Sequence, residues 1–214
     1  MAHEGHDHDE DHGHGHGHDH HGDGHHHGHG DGHRHHRPHT GHGQHGHSHA
    51  EKEHKAHAPA QVSVFVVTCS DSRDEARDES GRALRSGLEA AGHTLSGYKV
   101  IKDEPDAIRV VLAEAAAAGA RAVLFNGGTG IGRRDSTVET LRGLFEKELP
   151  GFGEIFRMLS FQQIGSAAMM SRATAGTYQG MILFAMPGSP QAVKLALETL
   201  ILPELGHAVR ELTR

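Results

Sequence analysis

The chain has 214 residues, and all of its 25 histidines except His93 and His207 lie before residue 60. A segment so poor in apolar side chains cannot form a core, which leaves residues 61–214 as one domain of ordinary size, large enough to fold without disulfides or metal staples. The single Cys69 excludes an internal disulfide framework, and no apolar run reaches the roughly 20 residues of a membrane span. The start, MAHEGHDHDEDH, lacks the basic and apolar stretches of a signal peptide, so a cytoplasmic protein is expected.

Charge divides unevenly. Residues 1–60 carry ten acidic and four basic side chains, whereas residues 61–214 carry 18 and 17. A nearly neutral domain gives no support to a nucleic-acid surface. With a reference pKa near 6.5, about a quarter of the tail histidines are protonated at pH 7, so the charge of the tail should swing strongly between about pH 5.5 and 8.

Between residues 3 and 49, His alternates with Gly and Asp and there is no aliphatic side chain, a composition that predicts disorder. Neutral imidazoles such as His12, His14, His16, His18 and His20 are ligands for Zn, Ni, Cu or Co, and the flexible glycines allow many ligand sets around one ion. Weak, exchangeable metal buffering is the expectation, with a solubilising linker or an expression tag as the alternatives. No spacing matches a closed zinc site. Residues 50–60, AEKEHKAHAPA, form a linker.

The domain begins with VSVFVVT at 62–68, a β-branched run typical of a strand covered on both faces. Leu84, Leu88 and Ala91 share a helical face that ends at Gly92, and TLSGYKVI at 94–101 is a second strand. Ile108, Val111, Leu112 and Ala115 predict a helix over 105–118, followed by a third strand, RAVLFN, at 121–126. After the loop Gly127–Gly132, Ser136-x-x-Glu139 resembles a capping box and predicts a helix through Leu149, stopped by Pro150-Gly151. A short helix is expected at 152–160 and a hairpin at 172–186, turning at Tyr178-Gln179-Gly180. Ser189 and Pro190 open a last helix that buries Val193, Ala196, Leu197, Leu200 and Ile201. This alternation implies an α/β domain with a mostly parallel sheet, helices on both faces and one antiparallel edge strand.

Ligands bind such sheets outside the carboxyl ends of the strands. Three loops there, TCSDSRDEARDESG, NGGTGIGRRDS and MPGSP, combine small or hydroxyl residues with a helix start and suit an anion such as phosphate. The four glycines of the second allow backbone N–H groups close to a phosphate, although they also suit a tight turn. It is neither a Walker loop nor a GxGxxG loop. A carboxylate at Asp135 beside a phosphate implies an intervening Mg²⁺, or else a simple preference for a helix N-terminus. Asp103 ends the second strand on the same rim, where it is either a second metal-site acid or a turn residue. Asp78 and Ser80 suit N-caps, Arg133 and Arg134 are phosphate partners or surface charge, and Cys69 is a packing residue or else one that touches ligand. No chemistry is assigned to His93 or His207.

The motifs GGTGIGRRD, PGFGEIFRMLSFQQIG, SRATAG and FAMPGSP, in that order, resemble the MoaB/MogA family of molybdenum cofactor biosynthesis proteins, with wording closer to the MoaB branch. The resemblance covers nearly all of residues 61–214 and does not extend to the His-rich tail. It implies a three-layer αβα fold, a homotrimer or homohexamer, and binding of molybdopterin. It further implies adenylylation of the terminal phosphate of molybdopterin by Mg-ATP, together with other enzymes of the same pathway as partners. Gly127, Gly128, Thr129 and Gly130 would then cradle phosphate, Asp103 and Asp135 would sit with Mg²⁺ and the reacting groups, and Pro187, Gly188 and Ser189 would contact ligand phosphate. Asp78, Ser80 and Gly81 would line the pterin side. A molybdopterin-binding scaffold without turnover, or a metal-handling carrier, are the competing expectations.

Overall fold

The protein is described by a computed structural model covering residues 59–214, so the His-rich tract with His12, His14, His16, His18 and His20 lies outside the described residues. The first half follows the expected succession: β1 (Ser63–Cys69), α1 (Glu79–Ala90), β2 (Thr94–Ile101), α2 (Pro105–Ala117) and β3 (Ala122–Asn126). The second half comprises α3 (Thr137–Leu144), β4 (Lys147–Glu148), α4 (Pro150–Ile164), β5 (Thr174–Tyr178), β6 (Met181–Met186), α5 (Pro190–Ala196) and α6 (Leu202–Glu211).

The strands form one sheet in the order β2-β1-β3-β6-β5-β4. Its first four members are mutually parallel, and β5 runs antiparallel to β6 across a tight turn at Gln179-Gly180. Both turn residues have positive φ, 46° and 73°, as a two-residue hairpin turn requires. The period-two alternation of the strands sorts the core into two layers. Val64, Val66, Leu124 and Phe184 face Leu84 and Leu88 of α1, Phe156 of α4 and Val193 of α5. Their neighbours Phe65, Val67, Val123 and Phe125 face Ile108, Val111 and Leu112 of α2 and Leu141 of α3. Each such side chain contributes about 1.5–3 kcal/mol on burial, and helices are needed on both faces to obtain it. The expected three-layer αβα fold is the result.

Several boundaries differ from the sequence expectation. Ala91 is an exposed C-cap, and α1 buries Gly81, Leu84 and Leu88 instead. The helix expected through Leu149 ends at Leu144, because Phe145 turns to an extended backbone (ψ 130°) and the chain then pairs with β5. Glu146 donates its N–H to the Thr177 carbonyl at 2.8 Å and Leu149 to that of Ala175 at 2.8 Å. The Phe145 ring fills the place a side chain at Gly176 would need, 2.4 Å from an added Cβ. Pro150 therefore starts a helix rather than stopping one, and α4 runs beyond residue 160 to Ile164. The last helix is interrupted by a π turn at Leu197–Ile201, just before Pro203, which has no N–H to return to Thr199. Leu200 is only partly buried there.

Candidate functional site

Because β1, β3 and β6 are adjacent and parallel, their carboxyl ends deliver three loops to one edge of the sheet. Between them lies a cleft of about 570 Å³. Gly127 and Gly128, at φ +88° and +64°, lead the chain out of β3 in a conformation that L side chains resist. Space forbids a side chain as well, since a Cβ at Gly127 would stand 2.3 Å from the Cys69 carbonyl oxygen. A Cβ at Gly188 would lie 3.1 Å from the Cα of Gly127, so the loops after β3 and β6 are in backbone contact. Thr129, Gly130, Pro187 and Ser189 complete this polar side, and Phe156, Ile164 and Met170 form an apolar wall opposite in composition.

The predicted residues separate into two groups. Gly127, Gly128, Thr129, Gly130, Asp135, Pro187, Gly188 and Ser189 line the cleft together. Asp135 closes its own loop, its Oδ2 accepting the Gly132 N–H at 2.9 Å. Ser189 caps α5, its Oγ accepting the Ala192 N–H at 3.2 Å. Asp103 stands behind Gly128 rather than in the cleft wall. Its Oδ2 accepts the Ser136 N–H at 3.1 Å, and its Oδ1 accepts the hydroxyls of Ser136 at 3.1 Å and Thr137 at 2.8 Å. The capping box consequently does not form, because Ser136 spends its hydroxyl on Asp103 and Glu139 pairs with Arg172.

Asp78, Ser80 and Gly81 are buried beneath the cleft and do not line it. Asp78 accepts hydrogen bonds from the Thr68 hydroxyl, the Tyr98 hydroxyl at 2.7 Å and the Gly81 N–H at 2.9 Å. Burial, followed by the hydrogen bond to this carboxylate, pushes the Tyr98 phenol up. Ser80 donates to the Gly188 carbonyl at 2.8 Å, tying α1 to the loop after β6. Arg134 pairs with Asp71 at 3.0 Å, and neither it nor Arg133 lines the cleft. Burial raises the Cys69 thiol to about 12, with Thr137 opposing and Asp103 reinforcing the shift. It is a packed thiol, protonated at neutral pH, that also contributes to the lining of the cleft.

Sequence reasoning missed Arg73, Ser160 and Ser171, which also line the cleft. The Ser171 hydroxyl is buried without a hydrogen-bond partner. Its SRATAG motif stood out in the sequence, but no local pattern marks the serine itself as a wall residue. Arg73 had a signal, being a cation inside one of the three strand-end loops.

Among the described residues, no three His, Cys, Asp or Glu side chains cluster to hold a metal, and no helix is long and apolar enough to cross a membrane. A family profile described as "Probable molybdopterin binding domain" matches residues 65–207. Molybdenum cofactor biosynthesis protein B of Bacillus subtilis (strain 168) is 54% identical over 158 residues, 73% of this chain and 93% of the relative. The chain belongs to the MoaB/MogA family. A crystal structure of a molybdenum cofactor biosynthesis protein B superposes with TM-score 0.70 at 48% identity, over 73% of this chain and 99% of the other. The tungsten cofactor synthesizing protein MoaB from Pyrococcus furiosus gives 0.68 at 37% identity, over 73% and 100%. The residues matched to the MoaB/MogA family contain every side chain of the cleft, whereas the His-rich tract falls outside them.

Proposed function

We propose that the protein binds molybdopterin in this cleft and transfers AMP from Mg-ATP to its terminal phosphate, releasing pyrophosphate. The observation that carries this is the side-chain-free turn at Gly127-Gly128, pressed against Cys69 and Gly188, with Asp135 on the same cleft. The names of the relatives, and the molybdopterin-binding description of the family, supply the pterin. A cleft lined by both apolar and polar residues suits a ligand with a flat ring and a phosphate tail.

The donor set fits a magnesium ion held largely by substrate. Mg²⁺ keeps several waters and commonly needs one or two carboxylates beside phosphate oxygens, and Asp135 is the carboxylate that lines the cleft. Asp103, its oxygens engaged by Ser136 and Thr137, acts instead by holding the loop that presents Asp135. When bound, the ion neutralises charge on the phosphate oxygens. The backbone N–H groups of residues 127–130 hold the oxygens of the pterin phosphate in place, while Thr129 adds a hydroxyl. One of those oxygens attacks the α-phosphorus of ATP, and the bond from that phosphorus to the pyrophosphate oxygen breaks. A phosphate monoester is already mostly ionised at pH 7, so no strong general base is required. The Asp135→Asn variant is expected to lose turnover by 10²-fold or more, with pterin affinity changed by less than about threefold. Equal losses in rate and affinity, measured with purified protein, would remove the metal role.

A second reading, a molybdopterin-binding scaffold without turnover, draws on the engagement of Asp103, which leaves the cleft a single carboxylate. Assay of AMP-pterin formation separates the two. Assembly as a homotrimer or homohexamer, cytoplasmic location and delivery of product to other enzymes of the pathway belong to the same proposal. The exposed side chains Ile155, Met158 and Phe161 on α4, which do not line the cleft, are apolar surface that assembly would cover. The tail is proposed to buffer Zn, Ni or Co.

A further inference from the structure

We propose that Arg73 is the residue that selects phosphorylated over unphosphorylated ligands in the cleft, by donating a forked pair of hydrogen bonds to a terminal phosphate. The inference rests on the function proposed above and goes beyond it, because the glycine turn supplies N–H donors without positive charge, and a magnesium ion would be shared with Asp135.

Arg73 is the one cationic side chain among the residues that line the cleft, and Asp135 is the one anionic side chain. The protein thus contributes no net charge to a site expected to take a phosphate monoester and a polyphosphate. The other basic residues nearby do not relieve this, since Arg134 is paired with Asp71, Arg172, which donates to the Thr129 carbonyl, is paired with Glu139, and Arg133 lies outside the lining. Arg73 makes no ion pair among the described residues.

Its position is nevertheless determined. The backbone N–H of Arg73 donates to Ser70 Oγ at 3.1 Å, and that of Ser72 to the same oxygen at 3.3 Å, which folds the start of the loop after β1. The guanidinium Nη1 donates to the Gly188 carbonyl at 3.0 Å, across 115 residues of sequence. Ser80 donates to the same oxygen, so both of its lone pairs are used. Gly188 in turn packs on Gly127. The guanidinium is therefore tethered at the junction of all three strand-end loops. A guanidinium carries five N–H donors in a rigid fork, and one bond to Gly188 leaves the others for an oxyanion. A lysine could supply the charge but not the fork.

The phosphate could be that of molybdopterin or of the nucleotide, and the full-length protein distinguishes them. Equilibrium binding is measured for molybdopterin and its dephosphorylated form, and for ATP and adenosine, with wild type, Arg73→Met, Arg73→Lys and Ser80→Ala. Arg73→Met is expected to weaken one phosphorylated ligand on the order of 10- to 100-fold, with Arg73→Lys intermediate. The unphosphorylated counterpart should change by less than about twofold, and the pair that responds identifies the phosphate that Arg73 holds. Ser80→Ala, which disturbs Gly188 without touching charge, should show no preference between the members of a pair. Parallel losses of phosphorylated and unphosphorylated ligand in Arg73→Met, or a phosphate-selective loss in Ser80→Ala, would reduce Arg73 to a loop tether and overturn the proposal. Unchanged binding in Arg73→Met beside normal wild-type binding would overturn it alone. A wild-type protein that binds neither phosphorylated ligand would overturn the proposed function with it.

Discussion

His93 precedes β2 with its Nδ1 accepting the Val62 N–H at 3.3 Å, a bond that requires the neutral ring. Burial also holds its pKa below the ordinary value of 6.5. The unfolded chain therefore takes up a proton here before the folded chain does, so the contribution to stability is full above about pH 6.5 and is lost as pH falls toward the lowered folded value. Urea midpoints of full-length wild type and His93→Gln, compared at pH 7.5 and 5.5, should converge at the lower pH. The remaining histidines are common to both proteins and cancel in the difference. Midpoints that stay equally far apart at both pH values would show that the ring is not titrating with folding. Cys69 illustrates a different outcome of burial, since a thiol raised to about 12 offers no thiolate for redox or nucleophilic chemistry at neutral pH.

The turn that leaves β3 is where backbone conformation and packing act together. Gly127→Ala places a residue at φ +88° and drives its Cβ to 2.3 Å from the Cys69 carbonyl, backbone that cannot swing aside. Gly119→Ala shares the positive φ, +73°, but meets nothing within 4 Å. The conformational cost of about 1–2 kcal/mol is common to both, so the excess loss in Gly127→Ala measures the closeness of the loops. Chemical denaturation should place that excess above about 1 kcal/mol; equal losses would contradict the packing. At this scale β1, β3 and α2 were legible in the sequence because each has an uninterrupted pattern and acts on near neighbours. The end of α3 was not, for the pairing of Lys147-Glu148 with β5 depends on a strand nearly 30 residues later. Ser136-x-x-Glu139 misled for the same reason, its serine being claimed by Asp103 from 33 residues upstream. The glycine turn and MPGSP announced themselves as site loops, whereas burial of Asp78 became visible only once Tyr98 and Thr68 were placed around it.

Across the whole molecule, the His-rich tract and the α/β domain should be separable. The domain core consists of described residues from Val62 onward, and the tract contributes no aliphatic side chain between residues 3 and 49. Removing residues 1–58 is expected to shift the melting temperature by less than about 2 °C and to abolish most of the Ni²⁺ or Zn²⁺ uptake seen in a titration of the full chain. Metal uptake that survives the truncation would assign binding to the domain instead. The cleft, by contrast, belongs to no local segment. The hydrogen bond from Arg73 to Gly188 joins the first loop to one that follows β6, and β3 must lie between them before the gap exists. Early fragments of the chain, such as one emerging from the ribosome up to β5, therefore have glycine turns but no receptor. Ligand can engage only after the last central strand has docked, so whatever binds there draws the entire folding equilibrium with it by mass action.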